Sequence, residues 1–538
     1  MGLSTVTRPI RRISASSDDR KVILASSLGT IFEWYDFYLY GALAVIISKQ
    51  FFAAVDDTTG FVLALLAFAA GFVVRPFGAV VFGHLGDLIG RRYTFLATLS
   101  LMGLSTLAVG FLPNYTSIGI AAPVLLVLAR MLQGLAVGGE FGGAIVYVAE
   151  HAPASSRGYY TSCIQVTASF GLLLSLGIIL ACRALTGDAF DVWGWRIPFW
   201  FSICLLAISL WIRLRLNESP AFIRMKAKGN LSKAPLREVF GRPENLRKLL
   251  IALFGMVAGM TVVWYTAHIY AFYFMTQSLR LDPVAANLLV VEAIVLGSPC
   301  FIIFGRLSDR IGRKPVMLAG MLIAAMVLFP VFKGLTHAIN PAIEQATVTH
   351  PVVVAADPNT CHFHFDPLGR RKDIFACDQI KAYLTNAGVP YSNMTLPSGH
   401  EAYTRVGSTR IEGFHADALK AAVSAAGYPS KADRDRVNYP LALILLTFLI
   451  ILVAMVDAPL AAAIVEMFPT RIRYTALSVP IHVGVGWIGG FLPMISFGLA
   501  MATGNMYFGL WYPVLIASGS FAVGFMFVRD LRGKQIDA

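Results

Sequence analysis

The chain has 538 residues, of which 57% are hydrophobic and only 14% charged, and it carries a net charge of +13. Soluble proteins carry nearer a quarter charged residues, so composition excludes a water-soluble enzyme or binding domain. The basic residues lie mostly in the tails, linker and loops that flank apolar runs, which points to contact with anionic lipid headgroups rather than with nucleic acid.

Twelve apolar runs follow one another, at about 22–48, 58–83, 93–112, 118–149, 159–182, 194–214, 247–277, 286–304, 315–334, 440–465, 475–501 and 507–528. Each is long enough to cross a ~30 Å hydrocarbon layer as helix, and backbone polar groups in lipid must pair within the segment. An all-α membrane protein with twelve transmembrane helices is therefore expected. The first run is too long for a cleavable leader and is followed by a full bundle. The expected division is a cytoplasmic tail (1–21), a six-helix bundle (22–215), a basic cytoplasmic linker (216–246) and three helices of a second bundle (247–334). An insertion (335–439), three more helices (440–528) and a second cytoplasmic tail (529–538) complete it. Most of the 44 Lys and Arg fall in the tails, the linker and the alternate loops on one side, whereas the short loops of the other side hold Lys49, Arg183, Arg196 and Arg280. By the positive-inside rule both termini are cytoplasmic.

Two motifs recur. "GHLGDLIGRR" (83–92) returns as "GRLSDRIGRK" (305–314), and "EHAPASSR" (150–157) returns as "EMFPTRIR" (466–473). Repeated halves suit alternating access, in which two bundles rock about a central site. In these loops glycine supplies the turn, aspartate accepts from helix N-terminal amides, and the arginines form ion pairs. The expected cytoplasmic gate is Gly83, Asp87, Arg91, Arg92, Glu150 and Arg157 in one half and Gly305, Asp309, Arg313, Lys314, Glu466 and Arg473 in the other. The interval 309–466 is far longer than its counterpart 87–150, which exposes the insertion between the ninth and tenth spans, on the extracytoplasmic side. Its extended "HPVVVAAD", helices near 377–388 and 415–426, and strand-like "TRVGSTRIEGF" suggest a small α/β domain.

A charge at the bilayer centre costs ~2.5–3.5 kcal/mol on insertion scales, so ionisable residues deep in spans mark pathways. The deep set is Glu33, Asp36, Arg75, Arg130, Glu140, His268, Glu292, Asp457 and His482. Glu33 and Asp36 share one helical face. Two carboxylates so close resist ionising together, which suits one of them to take and release a proton. A planar guanidinium such as Arg75 matches a carboxylate two bonds at a time. Glu140, in "GGEFGG", serves either a buried structural bond or substrate, and no role is fixed for His268, Glu292, Asp457 or His482.

The chain resembles the metabolite:H+ symporters of the major facilitator superfamily. The resemblance rests on "LGTIFEWYDFYLYG", "RPFGAVVFGHLGDLIGRR", "ARMLQGLAVGGEFGGA", "WGWRIPF" and "LNESPAF", in that order, and covers nearly all of the chain except the insertion. It implies two pseudo-symmetric six-helix bundles. It further implies proton-coupled uptake of a small organic anion or zwitterion, such as a di- or tricarboxylate, across a bacterial inner membrane by a monomer without cofactor. The resemblance implies Asp36, Glu33 and Arg130 as proton-coupling residues, with an acid–arginine pair between the first and fourth helices. It implies Arg75, Arg130, Glu140 and Arg196 as substrate-binding residues; Arg196 also suits a headgroup anchor.

Cys361 and Cys377 lie in the insertion, where an oxidising compartment makes a disulfide the first expectation; "CHFHFD" (361–366) has poor spacing for a metal centre. No nucleotide-binding loop or hydrolytic constellation appears, so an enzyme is not expected. Two rivals remain: a proton-coupled efflux antiporter, against which the absence of proline from "CIQVTASFGLLLSLGIIL" counts, and a transporter-like sensor that uses the insertion.

Overall fold

The computed structural model describes residues 17–54, 57–214, 218–359, 361, 375–530 and 532. Among the described residues eleven helices are long and apolar enough to cross a membrane, or twelve when the bent pair at the start is counted as one span. That pair is Ser17–Ala42 and Ala44–Phe51, which meet at 63°. The remaining spans are built on Asp57–Leu88, Arg91–Phe111, Ala121–His151, Arg157–Thr186, Arg196–Leu214, Pro243–Ser278, Pro283–Ile311, Arg313–Ile339, Tyr439–Met467, Arg473–Thr503 and Trp511–Phe527. The fifth span is interrupted at Val166. The tenth is interrupted at Ala458–Pro459.

Local chemistry sets these ends. Proline opens the seventh and eighth spans, at Pro243 and Pro283, where its missing N–H costs nothing. Asp282 and Asn438 cap the helices that follow them by accepting from Ala285 N and Leu441 N at 3.3 and 3.1 Å. The second and fourth spans approach backbone to backbone. A Cβ on Gly134 would stand 2.0 Å from the Gly71 carbonyl oxygen, and one on Gly138 would stand 2.3 Å from that of Arg75. Small residues permit this approach in membranes.

The two halves repeat one packing scheme. The second span packs on the fourth as the eighth packs on the tenth, and the third packs on the sixth as the ninth packs on the twelfth. Between halves the second span meets the eleventh, and the eighth meets the start of the fifth.

Between the ninth and tenth spans a short helix, Pro341–Thr349, leads into a four-stranded sheet of β1 (Val352–Ala356), β2 (Ser392–Thr395), β3 (Tyr403–Val406) and β4 (Thr409–Glu412). The strand order is β2-β1-β3-β4, with β2 parallel to β1 and the other pairs antiparallel. The parallel pair is joined through the helix Ala376–Asn386, as a parallel connection requires. The β3–β4 hairpin turns on Gly407 and Ser408, with Gly407 at φ +55°. That helix and Ala416–Ala425 bury Ile380, Leu384, Leu419 and Val423 against Val352, Val354 and Val406. The insertion holds to the second half: Tyr391 N donates to Gly504 O at 3.0 Å, Asn393 to Ala502 O at 3.1 Å, and Arg280 to Asn386 O at 2.8 Å. Cys361 and Cys377 are disulfide-bonded, with Cα atoms 5.6 Å apart. Most of "CHFHFD" lies outside the described residues.

Candidate functional site

At the end of the bundles that carries the repeated motifs, two mirror-related clusters tie the halves together. Asp87, at the end of the second span, accepts from the first amides of the eleventh: Tyr474 N at 3.2 Å, Thr475 N at 2.9 Å and Thr475 Oγ1 at 2.8 Å. Asp309 does the same for the fifth span, accepting from Gly158 N at 2.9 Å and Tyr159 N at 2.8 Å. A carboxylate at a helix N-terminus meets unpaired N–H groups and the positive end of the dipole. Around Asp87 stand Arg91, at 3.1 Å, and Glu150, which receives Arg91 at 3.7 Å and Arg473 at 2.8 Å. Around Asp309 stand Arg313, at 2.6 Å, and Glu466, which receives Arg157 at 2.8 Å and Arg313 at 3.2 Å. All of these side chains are almost wholly buried.

Ten of the twelve expected gate residues meet here. Gly83 and Gly305 do not make the turns; they let the halves touch, since a Cβ on each would stand 2.9 Å from Thr475 Cα and 2.7 Å from Gly158 O. The turns fall at Gly90 and Gly312, at φ +120° and +110°, where L side chains are strained. Arg92 and Lys314 stand outside the clusters. Arg92 donates to Leu214 O at 2.6 Å and Lys314 to Phe525 O at 2.7 Å, each within its own half. The end of the "LNESPAF" motif closes over the first cluster, with Ser219 donating to Glu150 and the Phe222 ring 4.9 Å from the Arg91 guanidinium.

Above the clusters lies a cavity between the halves. Aromatic rings meet across it: Trp34 stacks on Trp264 at 5.8 Å, and Phe72 meets Tyr265 edge-on at 6.4 Å. Glu33, Asp36, Arg75 and Arg130 all line it.

Arg75 is the unusual group. Its guanidinium stands 4.3 Å from the centre of the Phe72 ring and 5.9 Å from that of Phe37. Among the described residues no hydrogen-bond acceptor or carboxylate pairs with it, although Glu33 acts on it through space. Asp36 accepts from Thr106 Oγ1 at 2.6 Å, Thr106 Oγ1 accepts from Gln133 at 2.5 Å, and Gln133 accepts from Arg130. Arg130 also lies 4.2 Å over the Tyr40 ring. The expected acid–arginine pair is thus joined through two intervening side chains, and the charge of Arg130 acts on Asp36.

Two expected substrate residues stand elsewhere. Glu140 does not line the cavity; it pairs at 3.2 Å with Arg213, both fully buried, because an acid there needs a cation and Arg213 reaches it. Arg196 donates to Leu112 O at 3.0 Å and lies over the Trp195 ring at 4.4 Å, at the end of the bundles away from the gate motifs. Glu292 is exposed on the outside of its helix, whereas His268, Asp457 and His482 do line the cavity.

Residues 21–250 match the sequence profile of the family described as sugar (and other) transporter. The shikimate transporter of Escherichia coli K12 is 38% identical over 360 residues, which cover 65% of this chain and 81% of that protein. The chain belongs to the metabolite:H+ symporter family of the major facilitator superfamily. It is a multi-pass membrane transporter, not an enzyme. A second family relative, the glycine betaine/proline/ectoine/pipecolic acid transporter OusA of Dickeya dadantii, is 35% identical over 325 residues, or 58% of this chain and 64% of that one. The fold also superimposes on the proton:xylose symporter XylE bound to 6-bromo-6-deoxy-D-glucose, with a TM-score of 0.63 at 17% identity over 97% of this chain and 98% of that one.

Sequence reasoning missed Thr106 and Gln133, which carry no charge and so do not stand out among the ionisable residues deep in spans. It also missed Arg213, counted with the linker charges; the lone acid in "GGEFGG" was the signal that a buried cation had to exist.

Proposed function

We propose that the protein imports a small organic acid bearing one carboxylate, together with protons, by alternating access. The carrying observation is Arg75, a half-buried guanidinium facing the cavity, whose Nε is buried without a partner and which pairs with no protein carboxylate or acceptor among the described residues. Burying a cation unpaired is costly, and a substrate carboxylate can supply two parallel bonds to it. Cavity charge narrows the class. Two guanidiniums, Arg75 and Arg130, face three carboxylates, Glu33, Asp36 and Asp457, which leaves no positive surplus for a di- or tricarboxylate. The shikimate and betaine/proline carriers among the relatives fit a single carboxylate.

Protonation of a cavity carboxylate offsets the charge the anion brings, which ties one binding event to the other. Asp36 is the proton carrier in this account, with Thr106, Gln133 and Arg130 holding its geometry; Glu33 is the carboxylate next to Arg75. The two ion clusters are the cytoplasmic gate, closed here. The termini face the cytoplasm, the insertion lies outside, and the membrane is the bacterial inner membrane. The test is uptake into proteoliposomes of labelled shikimate, proline, glycine betaine, succinate and citrate, with and without an inward proton gradient. Gradient-driven accumulation of monocarboxylates alone is expected. Accumulation of citrate or succinate in preference refutes the single-carboxylate reading, and gradient-driven expulsion of the substrates refutes import.

A further inference from the structure

Asp457 is a buried acid of the cavity that the account above leaves without a role. It ends the helix Tyr439–Asp457 and lines the cavity. One of its carboxylate oxygens accepts from Gln165 Nε2, across the interface between halves, at 2.9 Å. Among the described residues it forms no ion pair, and its hydrogen-bond partner is the neutral amide of Gln165. That isolation sets it apart from Glu33, which feels Arg75 and Arg213, and from Asp36, which has Thr106 and Arg130. An acid in a span that neither pairs with a cation nor belongs to the gate is kept at a cost unless something else uses it.

Its position says what could use it. Arg75 is twelve residues from Asp87 on the second span and Asp457 nine from Glu466 on the tenth. At 1.5 Å per residue these put the two at roughly 18 Å and 14 Å from the gate. An uncommitted guanidinium on the first half therefore stands at comparable depth to an isolated carboxylate on the second. The wall around Asp457 offers further uncommitted polar groups: Thr261 Oγ1 and both ring nitrogens of His482 are buried without partners among the described residues, and both residues line the cavity.

We propose that Asp457 is a substrate-recognising carboxylate, which accepts hydrogen bonds from the hydroxyl or N–H end of an acid whose carboxylate is held by Arg75. This rests on the organic-acid reading above and deepens it. The substrate then bridges the halves, and Gln165 holds Asp457 aimed at it. A site built to accept such donors discriminates strongly against analogues that lack them, because its own polar group is left unpaired.

The experiment measures binding to purified protein by calorimetry, with two matched pairs of acids. Shikimate is set against cyclohex-1-ene-1-carboxylate, and proline against cyclopentanecarboxylate. The wild type is expected to bind the donor-bearing member of at least one pair at least tenfold more tightly. Asp457→Asn should remove most of that preference while leaving the bare acid unchanged, and Asp457→Glu should restore part of it. Equal loss for both members, or no loss, overturns the proposal. So does unchanged binding in Asp457→Asn together with loss of gradient-driven accumulation, which would make Asp457 a proton carrier. If the wild type binds bare and donor-bearing acids equally and Arg75→Gln abolishes both, the organic-acid reading stands and Asp457 recognition falls. Binding of neither pair overturns both.

Discussion

Replacing Asp87 by asparagine should open the gate end. Asp87 accepts three hydrogen bonds from the other half, from Tyr474 N, Thr475 N and Thr475 Oγ1, while its ion pair with Arg91 is internal to its own half. Only the first three change when the halves part. Bonds to a charged group contribute about 1.5–3 kcal/mol each. An asparagine keeps one carbonyl oxygen, so roughly two are lost or weakened and the closed state loses about 3 kcal/mol relative to the open one. At 1.4 kcal/mol per factor of ten, the open fraction rises by about 10²-fold. The assay is pulsed electron resonance between spin labels at the exposed positions Tyr93 and Ile311, one on each half, with Cys163, Cys182, Cys204 and Cys300 replaced. A growing long-distance population is expected in Asp87→Asn and, by the pseudo-symmetry, in Asp309→Asn. Distance distributions identical to those of the parent would refute the claim that these caps hold the closed state.

Three further outcomes follow from the geometry. Arg75→Lys keeps the charge but loses the planar fork, so the half-saturating substrate concentration should rise by about 10–100-fold, matching the ~1.5–3 kcal/mol of a charged bond; an unchanged value would remove Arg75 from recognition. Glu140→Gln or Arg213→Leu breaks a fully buried pair, and should destabilise the protein by about 3–5 kcal/mol, whereas the double change to leucines should recover much of the melting temperature. Equal melting of single and double variants would show that the pair is not coupled. Cys361→Ser opens a loop with a sequence separation of 16, worth about 3 kcal/mol on the chain-entropy model. The insertion should then be cleaved by protease at lower temperature than the spans; unchanged resistance would count against that figure.

The spans were legible because hydropathy over twenty residues is a strong signal, and the residues of the paired ion clusters because the same Asp and Arg spacing occurs twice. Three strands of the insertion lie in the two stretches that read as extended, "HPVVVAAD" and "TRVGSTRIEGF", whereas the fully exposed β2, Ser392–Thr395, gave no such pattern. What sequence could not supply was facing. Glu140 and Asp36 are both acids in apolar helices, yet one is locked to Arg213 and the other faces the cavity. The same limit hid Glu292, whose depth in a span suggested the interior while its helix turns it outward. Which arginine pairs and which stays free depends on helix rotation and on side chains far away in sequence, such as the 3.2 Å contact between residues 140 and 213 or the 2.8 Å contact between 150 and 473.

The central claim is that Asp36 carries the proton that accompanies the acid. It is tested most directly in proteoliposomes containing wild type or Asp36→Asn, by comparing gradient-driven accumulation with counterflow exchange of the same labelled acid. The account predicts that Asp36→Asn loses accumulation and keeps exchange, since the cavity and Arg75 remain while the titrating group is gone. Full accumulation in Asp36→Asn would contradict it.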